Sequence, residues 1–363
     1  MIQKVAWMLT RSLIFQSVFV FVGSMATVTR IHTIPSSNGN SNIRLKYVCN
    51  QQAATTTTST SDTDGADGVK VVLIHGLDSS SHTWKRTLDS LDKVGIPALA
   101  IDCRGCGRSD LGDPNDFGPK TLVDDLHQLL HACHATNHKN QNNKVVLVGH
   151  SMGGRIAMSY AAHYPQELAA LIVEDMDIDR RPNNPFPRSN TDAVLQFDRN
   201  LNHTNCNERV VELFSQWAGY PSSMVEGWIQ DGRIYATATG GFWSDVNPAF
   251  RHLCYQHFCY TDQGEQAWNQ IATSSSSSSS KRTTPIPCHV MVASKDHTIC
   301  RPQSIHKMQQ IMNDNNNHNP INLMTVHHYP DATHSIHNSA HSQFISDLIQ
   351  IIHQTKPNQT YKA

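Results

Sequence analysis

"VVLVGHSMGGRIAM", residues 145–158, decides the fold. Val145–Val148 is an unbroken apolar run of the kind that fills a strand covered on both faces. From Met152 onward the spacing becomes that of a helix. Between the two lies Gly149-His150-Ser151-Met152-Gly153. A Gly-x-Ser-x-Gly between a buried strand and a helix is a nucleophile elbow. The turn is so tight that the serine is held in strained backbone, and a side chain in place of either glycine would strike the neighbouring strand or helix. The helix start behind the serine offers unpaired N–H groups and a field that favours developing negative charge. Ser151 is therefore the expected nucleophile and the Met152 N–H one expected oxyanion donor.

Outward from this stretch the pattern alternates. Short apolar runs occur at 70–76, 97–105, 144–150, 168–176, 288–294 and 321–329. Helical faces separate several of them, as in Leu122, Val123, Leu126, Leu129 and Leu130, or Phe344, Ile345, Leu348, Ile351 and Ile352. Strands apolar on both faces that alternate with amphipathic helices give an α/β fold, with a mostly parallel central sheet flanked by helices. Residues 178–273 break the rhythm with aromatics, Pro and Asn, and read as a helical cap inserted between core strands. The polar tracts at 53–68 and 274–283 read as a disordered insertion and a Ser-rich linker, because such composition buries too little apolar surface to become ordered. The core would then comprise 43–177 and 284–356, with a tail at 357–363.

A serine nucleophile needs three kinds of help. A second oxyanion donor is expected from "LIHGLDSSSHTW" (73–84), where Gly76 permits a sharp turn and the Leu77 N–H would face the serine. His75 in that loop reads as a structural hydrogen-bonder. The base is expected in "HHYPDATHSIHNSAHSQF" (327–344). His334 sits there among small residues just before the last amphipathic helix, and His337 is the alternative. The acid has two candidates. Asp296, in "MVASKDHTICRP" (291–302), follows the next-to-last strand and is the first choice, in the chain order Ser-Asp-His. Asp175, in "LIVEDMDID" (171–179), lies one strand earlier and is the rival.

Composition excludes other classes. The 29 basic and 30 acidic side chains balance with no basic block, so nothing favours nucleic acid. Nine cysteines, an odd number in 363 residues, argue for free thiols rather than a disulfide framework. Cys103-x-x-Cys106 lacks the second pair that zinc would need, and "CYQHFC" (254–259) has the wrong spacing, so no metal and no cofactor are expected. Residues 1–42 are different in kind. They carry no Asp or Glu, scattered Lys and Arg, and an apolar stretch after Arg11 that is too short and interrupted for a firm membrane span. They read as a targeting segment for a mitochondrion or plastid, with a secretory signal or a membrane anchor as alternatives.

Taken together, His75-Gly76, "DCRGCGRSD" (102–110), "GHSMGG" (149–154), Asp296 and His334 resemble the α/β-hydrolase superfamily. The resemblance runs over roughly residues 43–356. It implies an ester or thioester hydrolase working through an acyl-enzyme on a small-molecule acyl substrate, without stable membrane insertion. Same-fold acyltransferases, lyases and perhydrolases are the alternative chemistry, and a non-catalytic binding protein the remaining one. "GRIYATATGGFWSDVNPAF" (232–250) is similar to the cap segment of a small esterase subgroup that includes bacterial acyl-CoA and ester hydrolases and a mitochondrial abhydrolase. In that subgroup the acid falls at the position of Asp175.

Overall fold

The computed structural model describes residues 27–35, 42–56, 69–133, 135, 144–181, 194–202, 206–273, 285–295, 299–315 and 323–355. Eight strands form one sheet: β1 (Val28–Pro35), β2 (Asn42–Cys49), β3 (Val71–Ile74), β4 (Ala98–Ile101), β5 (Val145–His150), β6 (Leu168–Glu174), β10 (Cys288–Ala293) and β11 (Met324–Tyr329). Their order across the sheet is β1-β2-β4-β3-β5-β6-β10-β11. The pairs β1–β2 and β2–β4 are antiparallel, and every other neighbouring pair from β4 to β11 is parallel.

The alternation of side chains along these strands builds two separate cores. Val72, Ile74, Leu147, Leu171, Val173 and Val290 face one side, against helices α2 (Pro119–Ala132) and α3 (Met152–His163). Val71, Leu73, Val146, Val148, Ile172 and Met291 face the other, against α1 (Lys85–Lys93) and α9 (His341–Gln354). Both faces are covered, so these strands read as continuous apolar runs. Between β6 and β10 the chain forms the cap. It contains the three-stranded sheet β7 (Asn200–Leu201), β9 (Phe242–Ser244) and β8 (Ile234–Ala236), with helices α4 (Asn207–Ala218), α5 (Ser222–Gln230), α6 (Pro248–Cys254) and α7 (Gln263–Thr273). Phe214, Tyr220, Val225, Trp228 and Ile234 give it a core of its own. Helix α8 (Pro302–Asp314) follows β10. No helix among the described residues is long and apolar enough to cross a membrane.

Two expected boundaries move. The targeting segment was placed at 1–42, but β1 at 28–35 is an edge strand of the sheet, paired along its length with β2. Its period-two pattern, with Ile34 2% exposed and Ile31 54% exposed, marks a half-buried strand. Arg30 and His32 on the inward-leaning side gave it the look of a basic leader. The insertion placed at 53–68 also begins later, because residues 51–56 are helical and Ala53 is fully buried. Residues 57–68 and 274–284 lie outside the described residues.

Candidate active site

Ser151 sits between β5 and α3 at φ 53° and ψ −122°, a left-handed conformation that costs a side-chain-bearing residue of order 1–3 kcal/mol. The surrounding backbone holds it there. Ser151 N donates to Glu174 O (2.9 Å) and Gly154 N to Ser151 O (2.8 Å). The glycines answer to close packing. A Cβ on Gly149 would lie 2.2 Å from Gly153 O, and one on Gly153 2.4 Å from Ile74 O. A Cβ on Gly76 would come within 2.9 Å of the Ser151 Cβ, so the loop after β3 passes directly beside the serine.

That loop is fixed by His75. Cys103 N donates to His75 Nε2 (3.1 Å), which leaves Nδ1 as the protonated nitrogen, donating to Gly76 O (2.7 Å). Burial lowers the affinity of this imidazole for a second proton. A trans peptide points its N–H opposite to its C=O. Tying the Gly76 carbonyl back to His75 therefore turns the Leu77 N–H the other way. One residue on, Asp78 is itself left-handed, at φ 52°. Its carboxylate is gripped from the cap by the Arg251 guanidinium of α6 and by Tyr220 Oη (2.9 Å), and Arg233 Nη1 donates to its carbonyl (3.0 Å). The cap thus holds the same loop that borders the serine.

His334 lies in the loop between β11 and α9. Its Nδ1 is 2.7 Å from Asp175 Oδ2. A carboxylate can only accept, so Nδ1 carries the proton and Nε2 keeps its lone pair. Asp175 is fully buried just past β6, at φ 45°, with its N–H on Met291 O (2.8 Å) and its Oδ1 accepting from Ala293 N (3.2 Å). Burial pushes its carboxyl pKa up, against the pull of the His334 hydrogen bond. His334 O accepts from His150 Nε2 (3.0 Å). Burial and the neighbouring imidazoles of His334 and His337 hold the His150 pKa well below 6.5. Neither Ser151 Oγ nor His334 Nε2 has a hydrogen-bond partner among the described residues, and both side chains are part-exposed. Such bonds are often long without substrate and tighten when it binds.

His337, the alternative base, is held in a different way. Its backbone N–H and Nδ1 both donate to Glu174 Oε1 (2.9 and 2.7 Å), and its Nε2 meets Thr83 Oγ1 (2.8 Å) and Asn338 Nδ2 (3.0 Å). Both nitrogens are occupied and the residue is fully buried beneath Trp84, 4.1 Å between ring centroids. Sequence reasoning gave Glu174 no role, and nothing local in the sequence marks its partner 163 residues away.

Asp296, the first choice for the acid, lies outside the described residues. The carboxylate that meets His334 is Asp175. Cys103 and Cys106 are buried on the core side of the loop after β4, and burial pushes both thiols up. Asp102 orders this loop by accepting from Ser81 N (2.7 Å) and Arg108 N (3.0 Å). The cap aromatics divide. Trp228 belongs to the cap core with Phe214 and Tyr220, and Trp243 stacks under Arg108, 4.0 Å from the guanidinium carbon. The Trp217 side chain lies outside what is described.

Comparison with known proteins places this geometry. Residues 71–347 match the model of the alpha/beta hydrolase family. A proline iminopeptidase from Saccharolobus solfataricus is 40% identical over 103 residues, 28% of this chain and 32% of that protein. The sn-1-specific diacylglycerol lipase ABHD11 of Danio rerio is 32% identical over 131 residues, 36% of this chain and 37% of that one. The chain thus spans about a third of the length of these curated relatives. Among solved structures, the peroxisomal alpha-beta-hydrolase Lpx1 of Saccharomyces cerevisiae superposes with a TM-score of 0.59 at 16% identity, over 93% of this chain and 91% of that one. A thioesterase domain from the curacin biosynthetic pathway gives 0.56 at 15% identity, over 90% and 100%. At such identities the likeness is one of fold.

Proposed function

The chain belongs to the alpha/beta hydrolase family, and from that premise we propose that it cleaves a carboxylic ester or thioester of a small-molecule acyl substrate, with Ser151 as nucleophile, His334 as base and Asp175 as acid. One observation carries the reading. Asp175 holds the Nδ1–H of His334 at 2.7 Å, which leaves Nε2 as the basic nitrogen of a part-exposed side chain whose backbone carbonyl meets His150, the residue next to Ser151.

The chemistry follows from that tautomer. His334 Nε2 takes the Ser151 proton as Oγ adds to the carbonyl carbon. The negative charge gathering on the carbonyl oxygen is stabilised by the N–H groups of Met152, at the start of α3, and Leu77, turned by the His75–Gly76 tie. Collapse of the tetrahedral adduct expels the alcohol or thiol, which takes the proton from His334, and Ser151 stays acylated. Water then attacks with the same histidine as base, releasing the acid and restoring the serine. Asp175 remains ionised throughout and steadies the imidazolium. The sheet order supports the choice of acid, since β6 lies directly beside β5.

Turnover of a short p-nitrophenyl ester series by the purified chain tests this reading, beside the Ser151→Ala, Asp175→Asn and Asp296→Asn variants. Serine-dependent turnover that Asp175→Asn abolishes and Asp296→Asn spares is the expected result. Collapse of turnover in Asp296→Asn alone would return the acid to the loop after β10. The basic, acid-free residues 1–26 support targeting to a mitochondrion or plastid, which a fluorescent fusion of that segment would check.

A further inference from the structure

Among the described residues outside the serine site, one cluster has the make-up of a metal centre. His127 and His131 sit four residues apart on α2, and so share one face of the helix. Glu167 comes from the single turn at Pro165–Glu167 that leads into β6. We propose that these three residues bind a divalent transition-metal ion of the zinc class. This departs from the sequence-based expectation that the chain holds no metal.

The donor spacing matches the one a bound ion would set. His131 Nε2 is 3.2 Å from Glu167 Oε1, and His127 Nδ1 is 3.4 Å from Glu167 Oε2. A tetrahedral ion bound at 2.0–2.1 Å sets neighbouring donors about 3.3–3.4 Å apart. One donor atom from each of the three residues can be chosen so that all lie within 4.8 Å of one another, so modest side-chain rotation closes the set. Two imidazoles with one carboxylate suit Zn(II), Cu(II) or Ni(II) and not Mg(II) or Ca(II), which require oxygen shells.

The surroundings also orient the donors. Tyr160 Oη donates to Glu167 Oε2. The His127 ring lies flat on Tyr164, 3.9 Å between centroids with planes 3° apart. Groups of this kind, behind the ligands, fix their direction and tune their basicity. The Glu167 side chain is 4% exposed and accepts hydrogen bonds from Tyr160 Oη and His131 Nε2, so its direction is fixed. A carboxylate already aimed is what a cation needs. The side chains of His127 and His131 are 19% and 30% exposed, so solvent and an ion reach them. The cluster lies at the C-terminal end of α3, about 18 Å along that helix from Ser151. The ion would therefore brace α2 against the turn before β6 and take no part in ester chemistry.

The test uses the full chain stripped with a chelator and titrated with Zn(II) by calorimetry, beside His131→Asn, Glu167→Gln and Tyr160→Phe. The expected result is one tight equivalent in the wild type. The two ligand variants should bind at least about a hundredfold more weakly, and Tyr160→Phe about tenfold more weakly. Because the chain has 22 histidines, the site must also be located. Diethylpyrocarbonate modification of the wild type, mapped by peptide mass, should show His127 and His131 protected by one equivalent of Zn(II). That measurement needs no variant to fold. Absence of a saturating equivalent, equal affinity in His131→Asn, or protection only at other histidines would each overturn the proposal.

Discussion

Two histidine–carboxylate pairs stand side by side where β6 ends. Glu174 holds His337, Asp175 holds His334, and in each pair an imidazole Nδ1 meets a carboxylate oxygen at 2.7 Å. The acids are adjacent in the chain, at the end of β6 and just past it, and the histidines are three apart, in a loop and the helical turn that follows it. They differ in what becomes of the second nitrogen. His337 Nε2 is occupied by Thr83 and Asn338 in a site with no solvent exposure. His334 Nε2 is left open on a side chain 32% exposed. The same kind of pair is a fastening in one place and, under the proposed function, the catalyst in the other. The difference lies in access, because a base must reach its proton. The fastening also steadies the open pair, since Glu174 holds the helical turn that begins two residues after His334.

The largest effect should come from removing the group the open pair acts upon. Ser151→Ala should lower ester turnover by about 10⁴-fold or more with the fold intact, read by steady-state kinetics and circular dichroism. Substantial residual turnover would remove the serine from the mechanism and the contrast with it. Next comes the open pair itself. Asp175→Asn should cost about 10³–10⁴-fold in kcat by presenting the wrong tautomer of His334, with little change in the urea midpoint.

The sealed pair should respond in the opposite sense. His337→Phe leaves the Glu174 carboxylate buried without its partner, and should destabilise the fold by about 3 kcal/mol while kcat per folded molecule falls less than about tenfold. A kcat loss equal to that of Asp175→Asn at unchanged stability would erase the distinction. Arg251→Met probes the cap's grip on the oxyanion loop. It should lower kcat by about tenfold, a fraction of the cost of losing an oxyanion donor outright, and an unchanged kcat would show that Asp78 holds the loop without the cap.

The smallest effect concerns histidines held neutral. Burial and the nearby His327 depress His289 from 6.5 to about 4, and His150 lies well below 6.5. The unfolded chain therefore binds protons that the folded chain refuses. Stability is full above about pH 6.5 and is lost as pH falls toward the folded values. The gap at His289 is worth at most about 3 kcal/mol. Urea midpoints between pH 7 and 4.5 should fall with acidification, and less steeply in His289→Gln. An equal slope in both chains would place the acid sensitivity elsewhere.

The central sheet was legible because its strands are buried on both faces and carry their signal locally. The elbow was legible for a related reason, as the clash that demands Gly149 lies within the motif itself, at Gly153 O, although the one that demands Gly153 is with Ile74 O of β3. The edge strand β1 was missed where its inward positions hold Arg30 and His32, whose charge masked the alternation. The partner of His334 was not legible, because Asp175 and Asp296 both follow strands of suitable character and the Asp175–His334 contact spans 159 residues. The metal cluster has the same limit. The spacing of His127 and His131 is visible in the sequence, but Glu167 joins them only through the packing of α3 beside α2.

The order in which the chain supplies its parts has a consequence for its synthesis. The proposed oxyanion loop, the serine and the proposed acid all precede residue 176, just after β3, β5 and β6. The imidazole follows β11, which can join the sheet only against β10, after the whole cap has been made. A chain emerging in order would hold a correctly turned but unreactive serine until that outer strand docks. Reactivity toward esters would then report completed folding, and partly made chains would be spared stray acylation.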